Sequence, residues 1–98
     1  MRIIGGQLAG RRIKVNVPES TRPSLDRVRE AIASAIESRC GFTDLHMMDL
    51  YAGTGAWAME ALSRGAHYAT CVESNVKLCK DIQRNAKSLD LDLSLIHI

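Results

Sequence analysis

The strongest constraint on what this chain can fold into is a glycine turn set between a short apolar run and a helical pattern. His46-Met47-Met48-Asp49-Leu50-Tyr51 is brief and mostly apolar, and it opens into Ala52-Gly53-Thr54-Gly55. A helix is expected from Trp57 to about Arg64, with Gly65 as its C-cap. Tyr68-Ala69-Thr70-Cys71-Val72-Glu73 comes next as a strand that ends in an acid. A further helix is expected from Asn75 to Leu89, with Val76, Leu78, Cys79, Ile82 and Ala86 along its apolar side. Strand, helix, strand, helix with short connections is the pattern of a parallel sheet wrapped by helices. The fold class is therefore α/β, Rossmann-like, with an incomplete parallel sheet.

Upstream, the pattern differs. Residues 1–23 are expected to form a basic N-terminal β-hairpin and linker. Arg2-Ile3-Ile4 pairs with Arg12 to Val17, whose strict alternation would bury Ile13, Val15 and Val17 and leave Arg12, Lys14 and Asn16 in water. Pro18 and Pro23 stiffen the linker. From Ser24, a candidate N-cap, the period becomes helical: Val28, Ile32, Ala35 and Ile36 make an apolar stripe, and Gly41 after Cys40 is a stop.

Hydrophobic residues make up 46% of the 98 and charged residues 24%, which is a globular composition rather than a disordered one. No apolar run reaches the ~20 residues that span a bilayer, and no signal peptide is evident. A cytoplasmic location is expected. Cys40, Cys71 and Cys79 fit no zinc or redox spacing, so buried, reduced thiols and no metal site are expected. The net charge of +2 hides an asymmetry. Arg2, Arg11, Arg12, Lys14, Arg22, Arg27 and Arg29 face only Glu19 and Asp26 in the first 29 residues, a surplus of five positive charges. Such a segment suits phosphate, although a solvated basic face has the same composition.

The chemistry concentrates around the glycine turn. Glycine lets backbone approach a ligand closely, and ligands of open α/β sheets bind at carboxyl-terminal strand ends. Glu73 lies 20 residues beyond Gly53, where an acid can accept the hydroxyl hydrogens of an adenosine ribose. Gly53, Gly55 and Ala58 also satisfy the loose dinucleotide fingerprint. Asp49 argues against a pyrophosphate, which it would repel, and for a ligand with ammonium and sulfonium groups and no phosphate. S-adenosylmethionine is such a ligand. A tight turn that binds nothing would leave Asp49 and Glu73 unexplained.

Beyond these local features, the chain resembles the bacterial 16S rRNA guanine-N2 methyltransferase family, from Met1 to about Leu89. The residues that carry the resemblance are Met1-Arg2-Ile3-Ile4-Gly5-Gly6, Gly10-Arg11-Arg12, Arg22-Pro23-Ser24, Asp26 to Ala31, Asp49 to Ala56, and Glu60 to Ala66. Ser24 stands where Thr is usual and Trp57 where a smaller apolar residue is common. The resemblance implies a class I S-adenosylmethionine-dependent methyltransferase fold. Asp49, Ala52, Gly53, Thr54 and Gly55 would line the methionine end of the cofactor, Glu73 would hold the ribose, and Ser74 and Asn75 would sit beside the adenine. The segment from Arg22 to Arg29 would lie over the pocket and near incoming RNA. The partner implied is 16S rRNA or an assembling small subunit, the full-length parent being a monomer that touches no membrane.

The family's catalytic Asp/Asn-Pro-Pro-Tyr/Phe motif is not present, since the only prolines are Pro18 and Pro23. Residues 24–92 are accordingly expected to be the N-terminal half of the cofactor domain, without turnover of its own. Leu93 to Ile98 matches the translation of a transposon-end sequencing adapter and is expected to be a foreign tail; the alternative is a genuine third strand, with which its alternation agrees. Two other function classes stay open: a noncatalytic RNA-binding module built on the basic hairpin, and half of an NAD-dependent oxidoreductase.

Overall fold

The computed structural model of the protein describes residues 2–14 and 23–98, the side chains of 23–26 excepted. Three helices and three strands alternate: α1 (Pro23–Arg39), β1 (His46–Asp49), α2 (Ala56–Ser63), β2 (Tyr68–Glu73), α3 (Val76–Ser88) and β3 (Leu93–His97). The strands form one parallel sheet in the order β1-β2-β3. This is the Rossmann-like α/β arrangement expected. Successive right-handed crossovers in one direction put α2 and α3 on the same sheet face. That face carries Ala69 and Cys71, which are buried with Ala58, Met59 and Ile82. Leu93–His97 forms the third strand, with Cys71 opposite Leu95 and Glu73 opposite His97.

Among the described residues the hairpin consists of one antiparallel bridge, Arg2 to Arg12, with the Ile3 N–H donating to the Arg11 carbonyl and the Gly10 N–H to that of Ile3. Ile3 and Ile13 are buried in the core, and Arg12 and Lys14 face water. Val15, Asn16, Val17, Pro18 and Arg22 lie outside the described residues. The segment also folds back on α2. The N–H groups of Ile4 and Gly5 donate to the two carboxylate oxygens of Glu60, at 2.9 and 2.8 Å. The N–H groups of Gln7 and Leu8 donate to the backbone and side-chain oxygens of Ser63. Gly6 makes this approach possible: at φ +78°, a Cβ there would stand 1.9 Å from the Ser63 carbonyl oxygen.

Glu60 is fully buried and also takes hydrogen bonds from Arg29 and Arg64, at 3.2 and 2.9 Å. Burial alone would raise its pKa, but the donors from Ile4, Arg64, Gly5 and Arg29 together hold it below the ordinary carboxylate value. Arg29, at 3% exposure, reaches on to the Arg2 carbonyl, so α1, α2 and the N-terminal segment meet at one carboxylate.

This corrects the expected α1 stripe. Val28 and Ile32 are 52% and 46% exposed and Ala35 is exposed, whereas Arg29 and Ala33 are buried and Ile36 partly so. The helix is turned by about one residue, about 100°. Glu60 draws Arg29 inward, and the small Ala33 packs with Ala61 and Phe42. Pro23 opens α1, placing Ser24 inside the helix rather than at its cap; proline suits a first position because its missing N–H would be unpaired there anyway. In α3, Val76 is exposed, and the buried side includes the polar Asp81 and Asn85. Cys71 and Cys79 are buried free thiols; Cys40 is exposed, contrary to expectation, because it lies just past the last turn of α1.

Candidate functional site

Parallel strands direct their carboxyl ends to one rim of the sheet, and the glycine turn stands there. Asp49 pairs in register with Cys71, and Glu73 lies two residues further along β2. Side chains alternate along a strand, so Asp49, Cys71 and Glu73 all leave the sheet on the face that carries α2 and α3. The two acids are thus offset by one strand spacing, about 5 Å, and by two residues, about 7 Å. They flank the turn from the same side.

Glu73 is fastened to that turn. Its Oε1 accepts the Gly53 N–H at 2.7 Å and its Oε2 accepts the Asn75 N–H at 2.9 Å. The Asn75 donor, followed by those of Gly53 and Ser74, keeps the carboxyl below its ordinary pKa against partial burial. The carboxylate still has lone-pair capacity to offer a ligand. Asp49 is half-buried and its Oδ1 accepts the Tyr51 N–H at 3.2 Å. The thiols nearby take no part in ionic chemistry. Burial, then the charges of Asp49 and Cys79, push Cys71 up to about 12. Burial and Glu73 raise Cys79, whose Sγ donates to the Glu73 carbonyl.

The two glycines of the turn differ. A Cβ on Gly55 would meet Ile82 Cγ1 at 3.0 Å, so this residue lets α2 pack on α3. Gly53, at φ +56°, has nothing within 4 Å of its Cβ position. Gly55 caps α2 with no side-chain hydrogen bond, and no acid stands in the helix's own first turn.

Ala52 is buried, its N–H donating to the Val72 carbonyl, and Thr54 is half-buried in the turn. Ser74 is exposed and its carbonyl is 3.0 Å from His97 Nε2. Asn75 is exposed too, but its side-chain oxygen caps α3 by accepting from the Lys77 and Leu78 N–H groups. Among the basic residues, Arg2, Arg11, Arg12, Lys14 and Arg27 are exposed. Arg29 is not: its guanidinium is committed to Glu60 and the Arg2 carbonyl, so it is withdrawn from any RNA-facing surface. Glu60, Ser63 and Arg64 lie in a stretch that carries the family resemblance, yet nothing local in the sequence gives them, or Asn85, the fastening role they have here. Among the described residues, no three potential ligands form a metal site, and no helix is long and apolar enough to cross a membrane.

The family model described as "Conserved hypothetical protein 95" matches residues 1–97. A candidate rRNA methyltransferase of Bacillus subtilis, YlbH, is 37% identical over 91 residues, which are 93% of this chain and 48% of that protein. Ribosomal RNA small subunit methyltransferase D of Escherichia coli is 37% identical over 89 residues, 91% of this chain and 44% of that protein. A solved structure of a candidate methyltransferase from Escherichia coli, yhhF, superimposes with a TM-score of 0.85 at 33% identity, over 98% of this chain and 51% of that one. The chain spans about half the length of the relatives it matches.

Proposed function

The chain belongs to the conserved hypothetical protein 95 family, and from that premise we propose that it carries the S-adenosylmethionine site of an enzyme that methylates the exocyclic N2 of a guanine in 16S rRNA. The single observation that carries this reading is the pair of acids, Asp49 and Glu73, leaving one sheet face on either side of a glycine whose Cβ position is open. The residues suit such a cofactor. Asp49 favours the ammonium and sulfonium charges. The backbone of Ala52, Gly53, Thr54 and Gly55, with the uncapped start of α2, favours the methionine carboxylate. Glu73 has lone pairs left for the ribose hydroxyls, and Ser74 and Asn75 border the adenine side.

The bound cofactor would supply an electrophilic methyl group. What this chain contributes is position: Glu73, held rigid by two backbone donors, fixes the nucleoside, and the glycine turn fixes the amino-acid end. Positioning of this kind supplies ~7–11 kcal/mol of a methyl-transfer barrier when the acceptor is held as well. The family's base-holding Pro-Pro motif is not among these 98 residues, so the chain alone binds the cofactor weakly at best and turns nothing over. A target guanine would be unstacked into the complete enzyme's pocket. The rRNA-directed names of the relatives support the substrate class, and Arg2, Arg11, Arg12, Lys14, Arg22 and Arg27 would meet its phosphates.

Calorimetry with S-adenosylhomocysteine, NAD and a short RNA tests the reading. Binding of S-adenosylhomocysteine that Glu73→Gln weakens is the expected result. Binding of NAD in its place would make the chain half of an oxidoreductase, and RNA binding alone would make it a noncatalytic module. Methylation of ribosomal RNA by the chain on its own would overturn the claim that it is inactive.

A further inference from the structure

The exposed charges of α3 all have one sign. Lys77, Lys80, Arg84 and Lys87 face water, while the helix's only acid, Asp81, is buried beneath an ion pair with Arg84. At about 100° per residue the four cations fall within an arc of about 80°, and at ~1.5 Å per residue they extend over about 15 Å. Helix stability accounts for Arg84, which pairs with Asp81, but not for the stripe as a whole. Lys77 stands in the first turn, where the helix dipole disfavours a cation, and only Lys87 is placed where the dipole favours one. Lys77 and Lys80, Lys80 and Arg84, and Arg84 and Lys87 are like-charge neighbours that repel. An ordinary solvated face would interleave acids among them.

The ends of the stripe are placed as well. It begins two residues after Asn75, beside the rim that holds Glu73. Toward its other end, Asn85 clasps the backbone of Lys14, donating to its carbonyl at 2.7 Å and accepting its N–H at 3.0 Å. The backbone of the hairpin's exposed Lys14 is thereby fixed against the C-terminal half of α3. We infer that α3 is an RNA-docking rail: its cations and Lys14 engage consecutive phosphates of an RNA strand running between the N-terminal segment and the pocket mouth. This rests on the rRNA-directed reading above and extends it to a helix outside the basic N-terminus. An electropositive stripe along one helix is the footprint that nucleic-acid backbones select.

The test compares three chains by their affinity for a short RNA stem-loop as a function of salt. One is the wild type; one is Lys77→Gln, Lys80→Gln, Lys87→Gln, which spares Arg84 and so the buried Asp81. The third is Ser34→Glu, Ser38→Glu, Arg39→Gln, which makes the same change of net charge on exposed positions of α1. Loss of three phosphate contacts is expected to lower the slope of log affinity against log salt by about 2, and to weaken binding roughly ten- to a hundredfold at ~0.1 M salt. The α1 variant is expected to keep the wild-type slope. An unchanged slope in the α3 variant, or equal losses in both variants, overturns the rail while leaving the pocket reading intact. Binding of the wild type to phosphatidylserine vesicles but not RNA overturns it too. A wild type that binds S-adenosylhomocysteine but no RNA removes the underlying substrate reading. If the triple variant fails to fold, Lys80→Gln with Lys87→Gln replaces it, with an expected drop in slope of about 1.4.

Discussion

Glu60 and Glu73 are two answers to the same local problem, a carboxylate that accepts backbone N–H groups from a glycine-containing turn. Glu60 takes Ile4 and Gly5, and Glu73 takes Gly53 and Asn75. Both are held below the ordinary carboxylate pKa. They differ in what else they face. Two arginines close the remaining side of Glu60, which has no exposed surface, while Glu73 remains half-exposed next to the open flank of Gly53. A carboxylate whose capacity is used up by the fold is a fastening. One with capacity left at a strand end is a place for a ligand.

Removing the charge at each glutamate breaks the comparison where it is strongest. Glu60→Gln leaves Arg29 buried without its counter-charge, and an unfolding free energy lower by about 3–5 kcal/mol is expected in chemical denaturation. An unchanged midpoint would mean that the carboxylate does not clamp the N-terminal segment. Gly6→Ala attacks the same fastening from the other partner. The new Cβ would collide with the Ser63 carbonyl, and a loss of about 1–3 kcal/mol is expected, with the Ile4 and Gly5 amides exchanging freely with solvent. Retained protection at those amides would refute the close approach.

At the other glutamate the effects should move from stability to binding. Glu73→Gln is expected to cost ~1 kcal/mol of stability, because a carboxamide oxygen still accepts one backbone N–H. Affinity for S-adenosylhomocysteine is expected to fall about tenfold or more, the scale of hydrogen bonds to a charged group. A large stability loss with unaltered affinity would make Glu73 a second Glu60. The smallest effect is in pH. A depressed native pKa gives stability that is complete above the ordinary value of 4.5 and lost as pH falls through the lower native one. Denaturation midpoints should decline below about pH 4.5, and Glu60→Gln and Glu73→Gln should each flatten that decline. An acid limb that neither substitution changes would remove both carboxylates from the account.

The sequence makes the ligand side of this comparison readable and hides the structural side. The bounds of β2 are as its pattern predicts, and the glycine turn, Glu73 and Asn75 act within a few residues or across one strand pair. Glu60 is unreadable because a glutamate in a short helix resembles a solvated one, and its donors lie 55 and 56 residues away. Similar distances hide the orientation of α1. Val28 and Ile32 are the better apolar residues, yet the buried side is set by Arg29, whose partner no local window contains. Asn85 is similar: its clasp on Lys14 spans 71 residues. Composition predicts a buried thiol at Cys40 because it does not distinguish a helix interior from the residue just past its end.

The clamp at Glu60 also sets an order of events in time. The first dozen residues make their main attachments to α2, so they must stay unfastened until a segment more than fifty positions later has emerged and turned helical. Closing so long a loop is slow compared with forming a helix or a neighbouring strand pair. Until α2 has formed, the basic N-terminal segment lacks the attachment that fixes it, and its cations can meet polyanions unhindered.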